Sequence, residues 1–141
     1  MTISNQNAKI YRGDTVTLFV ALTQADGTPY DSSINTVMKW RMLNNAYDDE
    51  SLSVAKKDLG SGIVSVTSPA KGVNISLLSS DTNLDPGFYY HQLVIWDGPD
   101  QTTAMVGLII LKRAVLMVKA GIIAPASRTI RLSGSVPIKT P

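Results

Sequence analysis

The side chains that could move a proton or attack a bond are few. The 141 residues include one His (His91), one Glu (Glu50), ten Asp and no Cys. The missing Cys excludes a disulfide framework, a thiolate metal site and a cysteine nucleophile together. His91 lies in Tyr89-Tyr-His-Gln-Leu93, where alternation puts it on one face with Tyr89, Leu93 and Ile95. That face points inward, so His91 is expected as a buried neutral histidine of the structural core, without a converging nucleophile or carboxylate. Asp48-Asp49-Glu50 is the one acidic cluster, but it lacks the twelve-residue spacing and central Gly of a calcium loop. It reads as a solvated loop, or as a receiver for the basic arm of a neighbouring subunit; Lys56-Lys57 after it reads as an exposed turn. Arg12-Gly13-Asp14 spells an adhesion tripeptide, yet it leads straight into a strand instead of crowning a loop. The expectation is no enzyme, no cofactor and no metal.

The elements around these residues are strands. Thr15 to Leu22 alternates, with Val16, Leu18, Val20 and Leu22 on one side. Thr36 to Met42 does the same, setting Met38, Trp40 and Met42 against Lys39 and Arg41. Gly62–Thr67, Val73–Leu77, Phe88–Trp96 and Thr102–Leu111 follow, punctuated by turn dipeptides such as Asp26-Gly27 and Asp97-Gly98. No stretch carries a 3.6-residue repeat with caps. Composition is that of a globular domain, 44% apolar and 17% charged. About seven strands at ten-residue spacing predict an all-β chain, an antiparallel β-sandwich over 1–113.

Residues 114–141 read as an extended basic C-terminal arm. Positions 1–110 hold 7 Lys and Arg against 11 Asp and Glu, whereas 111–141 hold 6 against none. An acidic body with a basic arm favours association between copies. Thr129-Ile-Arg-Leu-Ser133 alternates like a strand without a sheet of its own, which predicts addition to another edge through Arg128, Ile130, Arg131 and Leu132. The arm has no aromatic residue for base stacking, which argues against nucleic acid. Charges at Lys112, Arg113 and Lys119 interrupt the most apolar stretch, so no membrane span is expected, and the polar amino end reads as a cytoplasmically made chain.

The long aromatic strand carries an anomaly. With Tyr89, His91, Leu93 and Ile95 inward, Tyr90, Val94 and Trp96 face outward with Phe88, and Val106, Leu108 and Ile110 do so on the next strand. Antiparallel sheets usually keep that face polar. An apolar one predicts cover by the tail or by another chain, so Tyr90, Val94, Trp96, Val106, Leu108 and Ile110 are expected at an interface.

Leu84-Asp-Pro-Gly-Phe-Tyr-Tyr-His91 follows the immunoglobulin-type D-x-G-x-Y-x-C pattern, with His91 at the Cys position. With Arg12-Gly-Asp-Thr-Val-Thr-Leu18, Ala25-Asp-Gly-Thr-Pro-Tyr-Asp31 and Leu93-Val-Ile-Trp-Asp-Gly98, the chain resembles the immunoglobulin-like N-terminal domain of tailed-phage baseplate upper proteins over about residues 9–113. The resemblance implies a tyrosine corner at Tyr89 and a core Trp at Trp40. It also implies a virion structural protein assembled in the host cytoplasm, with other virion proteins as partners and a homo-oligomer, such as a trimer, as its state. The small size and the arm favour a capsid decoration (cement) protein. A tail, baseplate or fibre-adaptor subunit is the alternative, and a receptor- or carbohydrate-binding module using Tyr47 is a second.

Overall fold

A computed structural model describes residues 3–34, 37–68, 70–113 and 128–137. Its strands are β1 (Ala8–Tyr11), β2 (Val16–Gln24), β3 (Val37–Leu43), β4 (Ala55–Leu59), β5 (Gly62–Val66), β6 (Gly72–Leu77), β7 (Gly87–Asp97), β8 (Asp100–Lys112) and β9 (Arg128–Val136). A single helical turn, α1 (Ser79–Thr82), leads towards β7. The strands form one mixed sheet in the order β1-β8-β7-β3-β4-β5-β6-β2-β9, which curls until it nearly closes into a barrel.

The all-β expectation holds. Two short strands, β1 and β4, go beyond the strands expected from the sequence, and three neighbouring pairs (β1–β8, β4–β5 and β2–β9) run parallel. Four or five residues do not establish a period, which is why β1 and β4 escaped the alternation argument. Lys56 and Lys57 therefore lie in a strand, not a turn, and the Lys57 ammonium reaches the Asp81 carboxylate at 2.7 Å.

The inward set follows the alternation closely. Val16, Leu18, Val20 and Leu22 of β2, Met38, Trp40 and Met42 of β3, and Leu93 and Ile95 of β7 are all buried. One departure comes from a bulge between Leu93 and Val94, where Leu93 pairs with Met105 but Val94 pairs with Thr103. The extra residue, Ala104, is then buried beside Met105 although the two are consecutive.

β9 overturns part of the arm expectation. Arg128–Val136 pairs with β2 of its own chain in unbroken register, from Val16↔Arg128 to Gln24↔Val136. Leu132 and Val136 belong to the core, and Ile130 packs against it. Gly134 allows this close seat, since a Cβ there would fall 2.9 Å from the Leu22 side chain. The remaining arm positions, 114–127 and 138–141, lie outside the described residues.

The ends of the strand order meet at a seam made by residues 3–7. Ile3 bridges Met105 in parallel, and the Gln6 amide donates to the Val106 carbonyl at 3.1 Å. Between them Asn5 takes a left-handed conformation, φ 59°, which Asn tolerates better than most residues. The Gln6 side-chain carbonyl then accepts from the Ser133 amide of β9 at 2.8 Å, so one side chain joins the two edges.

Candidate docking face

β3, β7 and β8 turn one broad face outward, and its rows follow from register. Tyr90 sits between Leu43 and Leu108, Gln92 between Arg41 and Val106, Val94 between Lys39 and Thr103, and Phe88 beside Ile110. The two halves of this face differ.

In the half towards Trp96, charged side chains roof the apolar residues. The Lys39 ammonium lies 5.5 Å from the centre of the Trp96 ring. Arg41, 6% exposed, spreads its fork over four acceptors. Its guanidinium meets Glu50 at 2.8 Å and Asp58 at 2.9 Å, and also donates to the carbonyls of Trp40 and Lys57. Such saturation is what allows a guanidinium to leave water. Val94 is thereby buried at 7% exposure. The expected interface position at Val94 is therefore corrected: β3 and the Glu50 turn cover it, with no second chain needed. Glu50 is spent on Arg41, while Asp48 accepts from the Asn45 amide and Asp49 from Ser51.

In the other half nothing among the described residues forms such a roof. Phe88 is 67% exposed and Tyr90 41%, and Val106, Leu108 and Ile110 are half-buried. Residues 4–7 rise on one side and Leu43 and Ala46 on the other, leaving a trough of about 410 Å3 floored by Tyr90, Gln92, Val106 and Leu108. Its wall is pinned. The Asn7 side-chain oxygen accepts from the Leu108 amide at 2.9 Å, and Gly107 lies so close beneath Gln6 that a Cβ would fall 2.1 Å from the Gln6 carbonyl oxygen.

His91 anchors the trough from below. Trp40 Nε1–H can only donate and meets His91 Nδ1 at 3.1 Å, whereas the Gln6 carbonyl can only accept and meets Nε2 at 2.6 Å. These partners require the neutral ring with its proton on Nε2. Burial pushes the His91 pKa down to about 4, which the Gln6 carbonyl partly opposes. Both ring nitrogens are occupied, so the imidazole is a strut. Tyr89 is buried too, its hydroxyl donating to the Asp85 carbonyl at 2.5 Å, and burial raises its phenol above the usual range.

Of the residues expected at an interface, Tyr90, Val106, Leu108 and Ile110 come together here, and Trp96 sits half-buried under Lys39. Leu132 is corrected to the core, because pairing of β9 with β2 seats its side chain in the core cluster, and Ile130 packs against that cluster, partly buried. Arg131 is exposed, its guanidinium 5.2 Å from the centre of the Phe19 ring, and Arg128 begins β9 opposite Val16. Phe88 belongs to the site although its exposed position was already legible from alternation. Asn5 and Asn7 could not be found that way, because their placement depends on the parallel seam. Arg12-Gly13-Asp14 is held in a turn, with Arg12 donating to Asn83 and Thr82 donating to the Asp14 carbonyl.

Among the described residues no three His, Cys, Asp or Glu side chains gather in a metal-binding group, and no helix is long and apolar enough to cross a membrane. No protein-family model matches the chain, and no curated protein is similar to it.

Proposed function

We propose that this chain is a non-enzymatic structural protein of a tailed-phage virion that works by docking on neighbouring subunits, as a capsid decoration (cement) protein. The observation that carries the reading is the open apolar half of the outer sheet face, Phe88, Tyr90, Leu108 and Ile110. Sheet faces turned to water are ordinarily polar, and contiguous apolar patches mark association sites. Burying Phe88 and Tyr90 at a contact contributes about 1 to 2 kcal/mol each.

An immunoglobulin-like sandwich within the all-β fold is part of the same proposal. It is supported by the Tyr89 hydroxyl reaching back to Asp85, by Trp40 edge-on to His91 with ring centres 6.0 Å apart, and by β3, β7 and β8 running side by side. The non-enzymatic reading is supported by His91, whose nitrogens are both engaged in holding the seam.

The test is attachment of Phe88→Ser/Tyr90→Ser to purified shells that lack their decoration protein, beside the parent chain. At 1.4 kcal/mol per decade, affinity should fall at least tenfold while the melting temperature stays near that of the parent. Unchanged attachment overturns the docking face. Attachment to tails instead of shells moves the protein to the baseplate or adaptor alternative. Saccharide binding by a monomer, lost in Tyr47→Ala, would favour a receptor module.

A further inference from the structure

The outward side of β5, β6, β2 and β9 is built around one ring. Register sets Phe19 of β2 between Asn74 of β6 and Arg131 of β9, with Val64 of β5 beyond Asn74. Alternation turns Phe19 away from Leu18 and Val20, and it stands outside the core cluster, yet it is only 8% exposed. The ring is seated low against β6, where a Cβ on Gly72 would fall 3.0 Å from its Cζ. From above, the Arg131 guanidinium lies over it, 5.2 Å from the ring centre.

Arg131 and Arg41 both cover an aromatic or apolar surface, but their donors fare differently. Arg41 is buried, and two carboxylates and two carbonyls take up its fork. Arg131 is exposed. Among the described residues no Asp or Glu pairs with it and no oxygen accepts from it, so the Phe19 ring is its contact there. A ring contact leaves the five N–H donors of a guanidinium for other acceptors.

Beside this pair is a hollow of about 330 Å3, lined among the described residues by Phe19 and Arg131 together with Val66, Ala70, Asn74 and Thr129. That volume is at the small end for ligand pockets. Arg131 is the one charge in the described lining. The Asn74 amide and the hydroxyls of Thr129 and Ser68 add neutral donors, and Val66 and Ala70 add apolar wall. One cation, several neutral donors and no acid select an anion.

The fork selects its shape. Paired in-plane donors match the two oxygens of a carboxylate, and a single positive charge balances its single negative one. A sulfate or phosphate dianion would be half neutralised. The ring restricts the guanidinium before any ligand arrives, which lowers the ordering cost of binding.

We propose that this hollow binds an organic carboxylate with a small carbon body, its two oxygens on Arg131 and a further hydrogen bond from Asn74. The site shares no residue with the open face around Phe88 and Tyr90, so it goes beyond the docking reading and stands or falls separately from it. A protein chain terminus and an acidic sugar both present this chemistry, and the probes distinguish them.

The test is a titration of the full chain at neutral pH, followed through its backbone amide resonances. The probes are N-acetylglycine for a chain terminus, glucuronate for an acidic sugar, sodium sulfate for a dianion, and sodium chloride at matched ionic strength. The carboxylates are expected to give saturable shifts centred on Phe19, Asn74, Thr129 and Arg131, with a dissociation constant on the order of millimolar. The tighter of the two carboxylates assigns the source. Arg131→Gln should bind at least tenfold more weakly with its melting temperature unchanged, and Arg131→Lys, which keeps the charge without the fork, should remain weaker than the parent. Should Arg131→Gln melt early, Asn74→Ala gives the same readout with a loss of about threefold. Shifts no larger than those from chloride, sulfate binding as tight as either carboxylate, or Arg131→Lys binding as well as the parent would each overturn the assignment. Shell attachment that survives in Arg131→Gln leaves the docking face untouched whichever way the titration falls.

Discussion

The outer face of β3, β7 and β8 carries apolar residues in both of its halves, yet the two halves meet water differently. Around Val94 and Trp96, Lys39 and Arg41 lie over the apolar surface, and Glu50 and Asp58 hold the guanidinium in place. Around Phe88 and Tyr90 the described residues provide walls but no lid. An apolar strand face can be finished by its own neighbours when a long cation and its counterions stand beside it. Where the adjacent rows carry Leu43, Leu108 and Ile110 instead, no such cation among the described residues stands beside the face, and Phe88 and Tyr90 stay exposed.

Gly107→Ala should break the open half most severely. The new Cβ would overlap the Gln6 backbone, so residues 3–7 must lift, taking with them the bonds to His91 and Ser133. We expect a loss of about 3 kcal/mol in denaturant unfolding, at the upper end for overpacking, together with loss of the trough.

Acid should act on the same strut. The folded pKa of His91, about 4, lies below the ordinary 6.5, so the unfolded chain binds the extra proton between these values. The contribution is complete above about pH 6.5, declines as pH falls towards 4, and reaches a total of about 3 kcal/mol. Protonation at Nδ1 would also set a donor against Trp40 Nε1–H. Stability measured against pH in His91→Gln should lack this slope between 6.5 and 4; an undiminished slope there would assign it to other groups.

Arg41→Ala tests the roofed half, with a smaller effect. Its partners Glu50 and Asp58 are half exposed and can return to water, so the cost is about 2 kcal/mol, mostly from the carbonyls and packing left behind. The variant should bind a hydrophobic dye more strongly than the parent, as the roofed half comes to resemble the open one. Unchanged dye binding would mean that Val94 is covered by something other than Arg41.

Alternation made much of this architecture legible beforehand. The inward sets of β2, β3 and β7 follow from residues two apart on a strand, and so does the outward position of Phe88 and Tyr90. Arg41 misled, because alternation puts it outward with Lys39 and says nothing of the length with which its side chain reaches acceptors on β4. The segment Thr129–Ser133 was recognisable as a strand, but not the edge it would join.

Residue types and their spacing settle the local features: an all-β chain, the two sides of its longer strands, and the apolar residues Phe88, Tyr90, Leu108 and Ile110 on the outward side. Contacts between distant segments set the rest: β1 and β9 run parallel to β8 and β2, Gln6 ties the two edges, and half of the face is roofed. The reason is the range of the interactions. Periodicity is set by neighbours along one strand, whereas Val16↔Arg128 and Gln6–Ser133 join residues more than a hundred positions apart, whose meeting no local pattern encodes.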